Sequence, residues 1–189
     1  MGKADAFLLA KEGAKVFLTD IDEANGKKVA DEINNASTSD NTAYFIKHDV
    51  SQEKDWEHVM AEISKISGSL DILVNNAGIM KTGHIDELSL EDWRMLNTIN
   101  TESQFLGCKY ALPHMANSGK GSIINISSIS GIVAGWNTAA YNSSKAGVRH
   151  LSKSIALYCG KKDIDVRCNS VHPAFVNTPI LDPMNQAVG

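Results

Sequence analysis

Short apolar runs alternate with longer segments of helical periodicity along this chain, and that alternation restricts its possible folds more than any other feature. The apolar runs, which are typical of buried strands, span residues 16–19, 43–46, 70–74, 122–126 and 165–171. The helical segments span residues 3–12, 22–34, 52–66, 89–116 and 138–160. Such alternation predicts parallel βαβ units with helices on both faces of the sheet. We therefore predict an α/β fold, a doubly wound parallel sheet in a single three-layer αβα domain over residues 1–189.

Composition excludes several classes of protein. The chain is 43% apolar and 21% charged, which is typical of a globular domain, and its net charge of -4 disfavours nucleic acid as a partner. We expect no membrane association, because the sequence has no apolar stretch of about 18 residues and no signal-peptide core. Cys108, Cys159 and Cys168 have neither metal-ligand nor disulfide spacing. They predict inert core thiols in a reducing compartment, the cytoplasm, and no metal site.

Polar and small residues follow the ends of the predicted strands. They are Asp20, Asp49, Asn75-Asn76-Ala77-Gly78, Ser127-Ser128 and the loop 172–179. In open parallel sheets, ligands bind beyond the carboxyl ends of the strands. The sequence therefore predicts a binding site built from these loops. The long helical segment 89–116 follows the group at 75–78. It opens with Ser89, the expected N-cap, and Asp92 lies three residues later.

Four motifs, in this order and context, resemble the short-chain dehydrogenase/reductase family. They are Asn75-Asn76-Ala77-Gly78, Ile124-Asn125-Ile126-Ser127-Ser128, Tyr141-Asn142-Ser143-Ser144-Lys145, and Asn169-Ser170-Val171-His172-Pro173 leading to Thr178-Pro179. The resemblance covers essentially the whole chain. It implies a Rossmann-type domain that both binds NAD and catalyses hydride transfer between the cofactor and a secondary alcohol or ketone.

The spacing of Tyr141 and Lys145 agrees with the chemistry that this resemblance implies. The two residues are four apart, so on a helix they share one face. A nearby ammonium favours the phenolate, which would lower the pKa of Tyr141 and make it the general acid/base. The resemblance also implies that Ser128, thirteen positions before Tyr141, binds the substrate oxygen and that Lys145 binds the nicotinamide ribose. Asn100 matches the fourth catalytic residue, which holds a water that links Lys145 to solvent, and Asn97, one turn earlier, is the alternative.

A carboxylate at the end of the second Rossmann strand accepts hydrogen bonds from the adenine ribose and repels a 2′-phosphate. Asp20 occupies that place and no cation follows it before Lys27, so we predict NAD rather than NADP. The resemblance assigns further cofactor contacts to Gly2, Ile21, Asp49, Val50, Asn76, Ala77, Gly78, Pro173, Val176 and Thr178, besides Tyr141 and Lys145.

Several of these polar residues also have a purely structural interpretation. Asp20 could be a solvated loop carboxylate, and Asp49 could cap the helix that begins near residue 52. We expect Asn75 to be a structural turn residue, Ser127 to pack or to bond the backbone, and His172 to be structural.

The chain departs from the family pattern at both ends. The family opens with a strand and the turn Thr-Gly-x-x-x-Gly-x-Gly, of which only the last glycine, Gly2, has a counterpart here. The chain also ends at Gly189, before the family's final elements, and Pro173-Ala174 replaces the usual Pro-Gly. We expect the sequence to be a fragment, or to begin at an internal methionine, and to lack the first strand. As written, it is expected to bind NAD poorly and to fold with difficulty.

The resemblance implies an NAD-dependent dehydrogenase of secondary alcohols, of the hydroxysteroid type. The apolar stretch 129–136 favours a hydrophobic alcohol or ketone, and Trp136 either lines the substrate pocket or packs in the interior. One alternative is a 3-oxoacyl-thioester reductase, although Asp20 disfavours the NADPH that such an enzyme prefers. The alternative from another class is an inactive, truncated Rossmann module that binds a nucleotide or a partner. The resemblance also implies a homotetramer or homodimer, with its interface on the helices at 89–116 and 138–160.

Overall fold

The computed structural model of the chain describes residues 1–37, 42–178 and 180. Its helices are α1 (Gly2–Lys11), α2 (Glu23–Ala36), α3 (Glu53–Ser67), α4 (Leu90–Asn97), α5 (Ser103–Ser118) and α6 (Ala139–Lys161). Its strands are β1 (Val16–Asp20), β2 (Ala43–Lys47), β3 (Ile72–Asn75), β4 (Gly121–Ile126) and β5 (Val166–Val171). A π-helical turn, Thr98–Glu102, joins α4 to α5, and a 3-10 turn, Ile129–Gly131, follows β4.

The predicted strands and helices are confirmed, with small differences at their ends. Strand β3 begins at Ile72, two residues later than predicted. Ser89 is confirmed as an N-cap, because its side chain accepts a hydrogen bond from the backbone N–H of Asp92 at 3.0 Å. The helical path that starts there ends at Gly119, whose φ of 82° is in the left-handed region that favours glycine.

The first compact unit spans Met1–Gly68 and contains a two-stranded sheet. Strand β1 pairs with β2 in parallel, with Val16 opposite Ala43 and Asp20 opposite Lys47. Helices α1 and α2 cover this pair through a small apolar core. The buried residues of that core are Ala6, Val16, Ala30, Ile33 and Ala43.

The second compact unit, Ser69–Gly189, contains the parallel sheet β3-β4-β5. Ile123 at the centre of β4 and Val148 on α6 are fully buried. Within the described residues, β1 and β3 each have one strand neighbour. The parallel pairing and the strand–helix alternation confirm the predicted α/β class. None of the described helices is long and apolar enough to cross a membrane.

Candidate active site

Helix α6 brings Tyr141 and Lys145 together, as their spacing predicts. The Lys145 Nζ lies 5.7 Å from the centre of the Tyr141 ring and donates a hydrogen bond to the Ile126 carbonyl oxygen at 2.9 Å. Both side chains are buried, with 8% of Tyr141 and 2% of Lys145 exposed. This burial lowers the pKa of Lys145 to about 8, because an ammonium ion is poorly solvated there.

Ser128 follows β4 and lies beside the phenol of Tyr141. Its hydroxyl oxygen accepts a hydrogen bond from the Ser130 backbone N–H at 3.1 Å and caps the 3-10 turn. Burial raises the pKa of Tyr141, and hydrogen bonding by Ser128 opposes that rise without cancelling it. The pKa of Tyr141 is therefore raised, and not lowered as predicted. Burial disfavours the phenolate more than the hydrogen bond with Ser128 stabilises it.

Asn100 is fully buried in the π-helical turn and joins three segments of the site. Its amide oxygen accepts from the Ile79 backbone N–H at 2.8 Å, and its amide nitrogen donates to the Ile79 carbonyl at 2.9 Å and to Ser144 Oγ at 3.1 Å. The alternative, Asn97, donates instead to the Trp93 carbonyl of its own helix. The structure therefore brings Asn100, and not Asn97, to the site.

Gly78 lies against both polar groups of the site. A side-chain carbon at this position would lie 3.2 Å from Lys145 Nζ and 3.2 Å from Asn100 Oδ1. Asn76 and Ala77, which precede it, follow directly after β3. The backbone of this segment therefore comes close to the Lys145 amine only because residue 78 has no side chain.

Gln104 on α5 contacts the same site and was not among the residues predicted from the sequence. Its side-chain nitrogen donates to the Ile126 carbonyl at 3.1 Å, so that this oxygen accepts from both Gln104 and Lys145. The Gln104 side chain is 1% exposed, and its amide oxygen has no hydrogen-bond partner. A glutamine in the first turn of α5 belongs to no motif, so only the structure reveals this contact.

Asn75 and Ser127 have structural roles, as expected. Asn75 is the last residue of β3 rather than a turn residue, and its amide nitrogen donates to the Asn125 amide oxygen at 2.8 Å. The Asn125 amide nitrogen in turn donates to Ser152 Oγ at 2.9 Å. The Ser127 hydroxyl donates to the Lys145 carbonyl at 2.7 Å. These buried contacts join the strands to α6 beneath the site.

The loops around the site expose apolar side chains. Trp136 is 77% exposed and lies 4.9 Å from the ring of His84, so the interpretation of Trp136 as a buried packing residue is wrong. Ile132 and Val133 in the same loop are also exposed, as is Phe175 after β5. These loops follow β3, β4 and β5, at the edge of the sheet where ligands bind in such folds.

The remaining candidates after β5 are close to one another. Pro173 accepts a hydrogen bond from the Ile129 backbone N–H at 2.9 Å. The hydroxyl of Thr178 donates to the Val176 carbonyl at 3.2 Å. Pro179, which completes the family motif, lies outside the described residues.

The other predicted cofactor residues belong to the first unit. Gly2 is the first residue of α1, Ile21 is exposed, and the exposed Asp20 accepts from the Asp22 backbone N–H at 2.9 Å. Asp49 accepts from the Ser51 backbone N–H at 2.9 Å, and the carbonyl of Val50 accepts from the Trp56 indole at 2.9 Å.

Asp49 does not cap α3. The N-cap of that helix is Gln52, so the capping interpretation of Asp49 is wrong. Its carboxylate instead closes the turn before the helix through Ser51, whose backbone N–H and hydroxyl both donate to the same oxygen.

Cys108 and Cys168 are buried against the Asn125 amide, and Cys159 is buried as well. The hydrogen bond to Cys168 and burial raise the pKa of the Cys108 thiol, which keeps it neutral. Among the described residues, no group of three or more His, Cys, Asp or Glu side chains could hold a metal ion.

Comparisons with known proteins agree with one another. A family model described as short chain dehydrogenase matches residues 1–189. The 3-beta-hydroxysteroid dehydrogenase of Comamonas testosteroni is 43% identical over 92% of this chain and 66% of its own length. The NADP-dependent (R)-specific alcohol dehydrogenase of Lentilactobacillus kefiri is 38% identical over 99% of this chain and 73% of its own length.

A solved short-chain dehydrogenase/reductase from Burkholderia xenovorans has the same fold, with a TM-score of 0.90 and 33% identity over 99% of this chain and 72% of that one. The chain thus spans between about two thirds and three quarters of the length of these proteins. This likeness confirms the predicted Rossmann-type architecture.

Proposed function

This chain belongs to the short chain dehydrogenase family of oxidoreductases, and on that basis we propose that it transfers hydride between a nicotinamide cofactor and a secondary alcohol or ketone. The observation that carries the proposal is that Ser128, Tyr141 and Lys145 meet in one buried site. A buried phenol beside a hydroxyl and an amine is suited to exchange a proton with a substrate oxygen.

The roles of these side chains follow from what each can donate or accept. The Ser128 hydroxyl orients the substrate oxygen toward Tyr141, whose phenol gives or takes the proton. The Lys145 ammonium offsets the negative charge of the phenolate, which burial alone would disfavour. Because the pKa of Lys145 is about 8, that charge is present at neutral pH. Asn100 and Gln104 act on these groups indirectly, through the Ile79 loop and the Ile126 carbonyl.

The residues around Gly78 fit a nicotinamide ribose. A side-chain carbon at position 78 would lie 3.2 Å from both Lys145 Nζ and Asn100 Oδ1, so a glycine there lets the backbone of 76–78 lie close to both groups. When bound, the nicotinamide ring supplies or accepts the hydride. We propose that Lys145 holds the ribose hydroxyls, with the backbone of 76–78 beside them and Pro173, Val176 and Thr178 near the carboxamide.

We propose NAD as the preferred cofactor, bound in the first unit by Gly2, Asp20, Ile21, Asp49 and Val50. The exposed carboxylate of Asp20 would repel a 2′-phosphate. Lys27, the first cation after it, is paired with Glu23 at 2.6 Å and is therefore less available to a phosphate. The named cofactor of the Lentilactobacillus relative differs, so this preference needs a direct measurement.

We propose a hydrophobic alcohol or ketone as the substrate. Support comes from the exposed apolar side chains of Ile132, Val133, Trp136 and Phe175 in the loops beyond β4 and β5. A cyclic alcohol of the hydroxysteroid type would cover this surface, and the Comamonas relative is named for that class.

Initial rates with NAD and with NADP, measured over cyclohexanol and a 3-hydroxysteroid, test the proposed function. We expect a higher kcat/KM with NAD, and a loss of kcat by roughly 10²- to 10⁴-fold in Tyr141→Phe, because the general acid/base is removed. Tyr158→Phe is the matched control, since this exposed tyrosine lies on the same helix. Equal rates in wild type and Tyr141→Phe would exclude the proposed mechanism.

We also propose that a second copy of the chain covers the outer face of α5 and α6. Phe105 and Tyr158 are large and exposed there, and they line a groove together with Leu112 and Ile155. Leu157, which is also exposed, is next to Tyr158 on α6. Exposed apolar side chains grouped on one face are typical of subunit interfaces. A homodimer through this face, or a homotetramer that contains it, would bury them.

A further inference from the structure

The segment that carries Ser128 is bonded to the end of β5 at three consecutive residues. The Ser127 backbone N–H donates to the Val171 carbonyl at 2.9 Å, and the Ile129 backbone N–H donates to the Pro173 carbonyl at 2.9 Å. Between them, Nδ1 of the His172 ring lies 3.0 Å from the Ser128 carbonyl oxygen. The middle bond is therefore made by a side chain rather than by the backbone.

The hydrogen bonds of His172 determine its tautomer. A carbonyl oxygen can only accept, so Nδ1 must carry the proton that it donates to Ser128. The bare Nε2 then accepts from the Ser170 hydroxyl, whose oxygen lies 2.9 Å away. Both ring nitrogens are used, and the ring is held in one orientation between β5 and the turn after β4.

The turn after β4 is a small closed structure around Ser128. The Ser130 backbone N–H donates to Ser128 Oγ at 3.1 Å, and the Gly131 backbone N–H donates to the Ser128 carbonyl at 2.9 Å. These bonds fix the hydroxyl relative to the turn. The flanking residues Ser127 and Ile129 are bonded through their backbones to Val171 and Pro173. The bond from His172 adds a connection to Ser128 itself, because it fills the remaining lone pair of the same carbonyl.

We propose that His172 is a positioning residue for the reaction: its ring holds the main chain of Ser128 so that the serine hydroxyl faces the phenol of Tyr141 and the substrate oxygen. The inference rests on the proposed function. The carbonyl and the hydroxyl belong to one residue, so a displacement of the backbone moves the hydroxyl with it. Small errors in the placement of a reacting group reduce rates strongly, which makes this bond matter for kcat.

Two substitutions of His172 separate the effect of the hydrogen bond from the effect of the imidazole ring. His172→Leu removes the donor, whereas the side-chain nitrogen of His172→Asn can take the place of Nδ1. We expect kcat to fall on the order of tenfold to a hundredfold in the Leu variant and to be largely rescued in the Asn variant, with KM for the cofactor unchanged in both. His58→Leu is the matched control, because this exposed histidine lies on α3 and not in the site.

The pH dependence of kcat also tests the positioning role, because it would stay unchanged if His172 only stabilised the fold. Hydrogen bonding by Ser128 lowers the pKa of Tyr141, so loss of that alignment in the Leu variant should move the rising limb of the profile to higher pH. The Asn variant should restore the wild-type limb. Lys145, the other titratable group that faces Tyr141, is unchanged in every variant.

The ¹⁵N NMR spectrum of His172 tests the geometry without turnover, and Nδ1–H with a bare Nε2 is expected. An Nε2–H tautomer overturns the proposal. The proposal is also overturned if wild type is active and the Leu variant has the same kcat. It is overturned as well if the Leu and Asn variants lose the same fraction of kcat, in proportion to their decrease in Tm. A wild type that oxidises no secondary alcohol with either cofactor overturns the proposed function, and the positioning role with it.

Discussion

Lys145 occupies a position that favours activity at the expense of stability. Its amine is almost completely buried, and burial lowers its pKa from 10.5 to about 8. Below about pH 8 the folded protein must therefore hold a poorly solvated cation. The hydrogen bond to the Ile126 carbonyl offsets part of that cost, but the same oxygen also accepts from Gln104. A residue to which we assign a role in the reaction thus destabilises the fold at neutral pH.

Lys145→Met should make the protein inactive and more stable at pH 7, by on the order of 1–3 kcal/mol. Because the folded pKa lies below the unfolded one, the unfolded state binds more protons, and wild-type stability rises with pH between about 8 and 10.5. The advantage of the methionine variant should therefore shrink toward pH 10. Urea denaturation at both pH values measures it.

Lys153→Met provides the matched control on the same helix, since Lys153 is exposed. It should change stability little at either pH. A Lys145→Met protein less stable than wild type at pH 7 would contradict the assignment of a desolvation cost to this amine.

Residues that bind through their own side-chain chemistry could be predicted from the sequence, and residues that act through a backbone carbonyl could not. The four-residue spacing of Tyr141 and Lys145 was sufficient to predict that they lie together. Gln104 and His172 instead bond the carbonyls of Ile126 and Ser128. Any residue has such a carbonyl, so even for His172, which lies in a family motif, the sequence does not show which carbonyl its side chain will reach.

At the scale of elements, the packing of α2 on β2 depends on one glycine. Any side-chain carbon at Gly26 would overlap the ring of Phe45. Gly26 is the fourth residue of α2, and within a helix glycine lowers stability by about 1 kcal/mol relative to alanine. The close approach of helix and strand is therefore gained at the expense of local helix propensity.

Gly26→Ala should destabilise the protein by roughly 1–3 kcal/mol, because the overlap with Phe45 outweighs the gain in helix propensity. Gly160→Ala on α6 is the matched control: nothing lies within 4 Å of the added carbon, and we expect a gain of about 0.5–1 kcal/mol. Thermal unfolding followed by circular dichroism compares the two variants. A stabilised Gly26→Ala protein would show that the ring of Phe45 moves aside freely.

Element boundaries followed from apolar periodicity, but the π-helical turn did not. The pattern over 89–116 predicts one continuous helix, and α4 and α5 do form one helical path. The turn Thr98–Glu102 has the wider geometry of a π-helix. Along the sequence it only shifts the helical periodicity by one residue. That shift faces Asn100 toward Ile79 and Ser144, so the undetected irregularity lies at the site itself.

At the scale of the whole molecule, the parallel α/β class was predictable because strand–helix alternation is repeated along the entire chain. The pairing of the strands was not predictable, because every apolar strand offers its neighbours similar hydrogen-bonding edges. The structure pairs β1 with β2, β3 with β4, and β4 with β5, in the order of the chain. The prediction of one domain over residues 1–189 stays a prediction.

Leu157→Glu should weaken self-association by placing a charge in the proposed interface of α5 and α6. Leu157 is 75% exposed, so this substitution should leave the fold intact. Ile85→Glu is the control, because Ile85 is equally exposed but lies in a loop outside that face. Light scattering after size-exclusion chromatography gives the mass of each variant. A wild-type monomer at micromolar concentration would exclude the interface.

The amide pair beneath the site has a consequence for how the chain selects its native pairing. Asn75 and Asn125 are direct neighbours across β3 and β4, and their side chains bond at 2.8 Å in the interior. A slip of one residue would break the bond between these two buried amides, and a register shift of this kind also turns the apolar side chains away from the core. The pair therefore favours the native register of β3 against β4 over a register shifted by one residue.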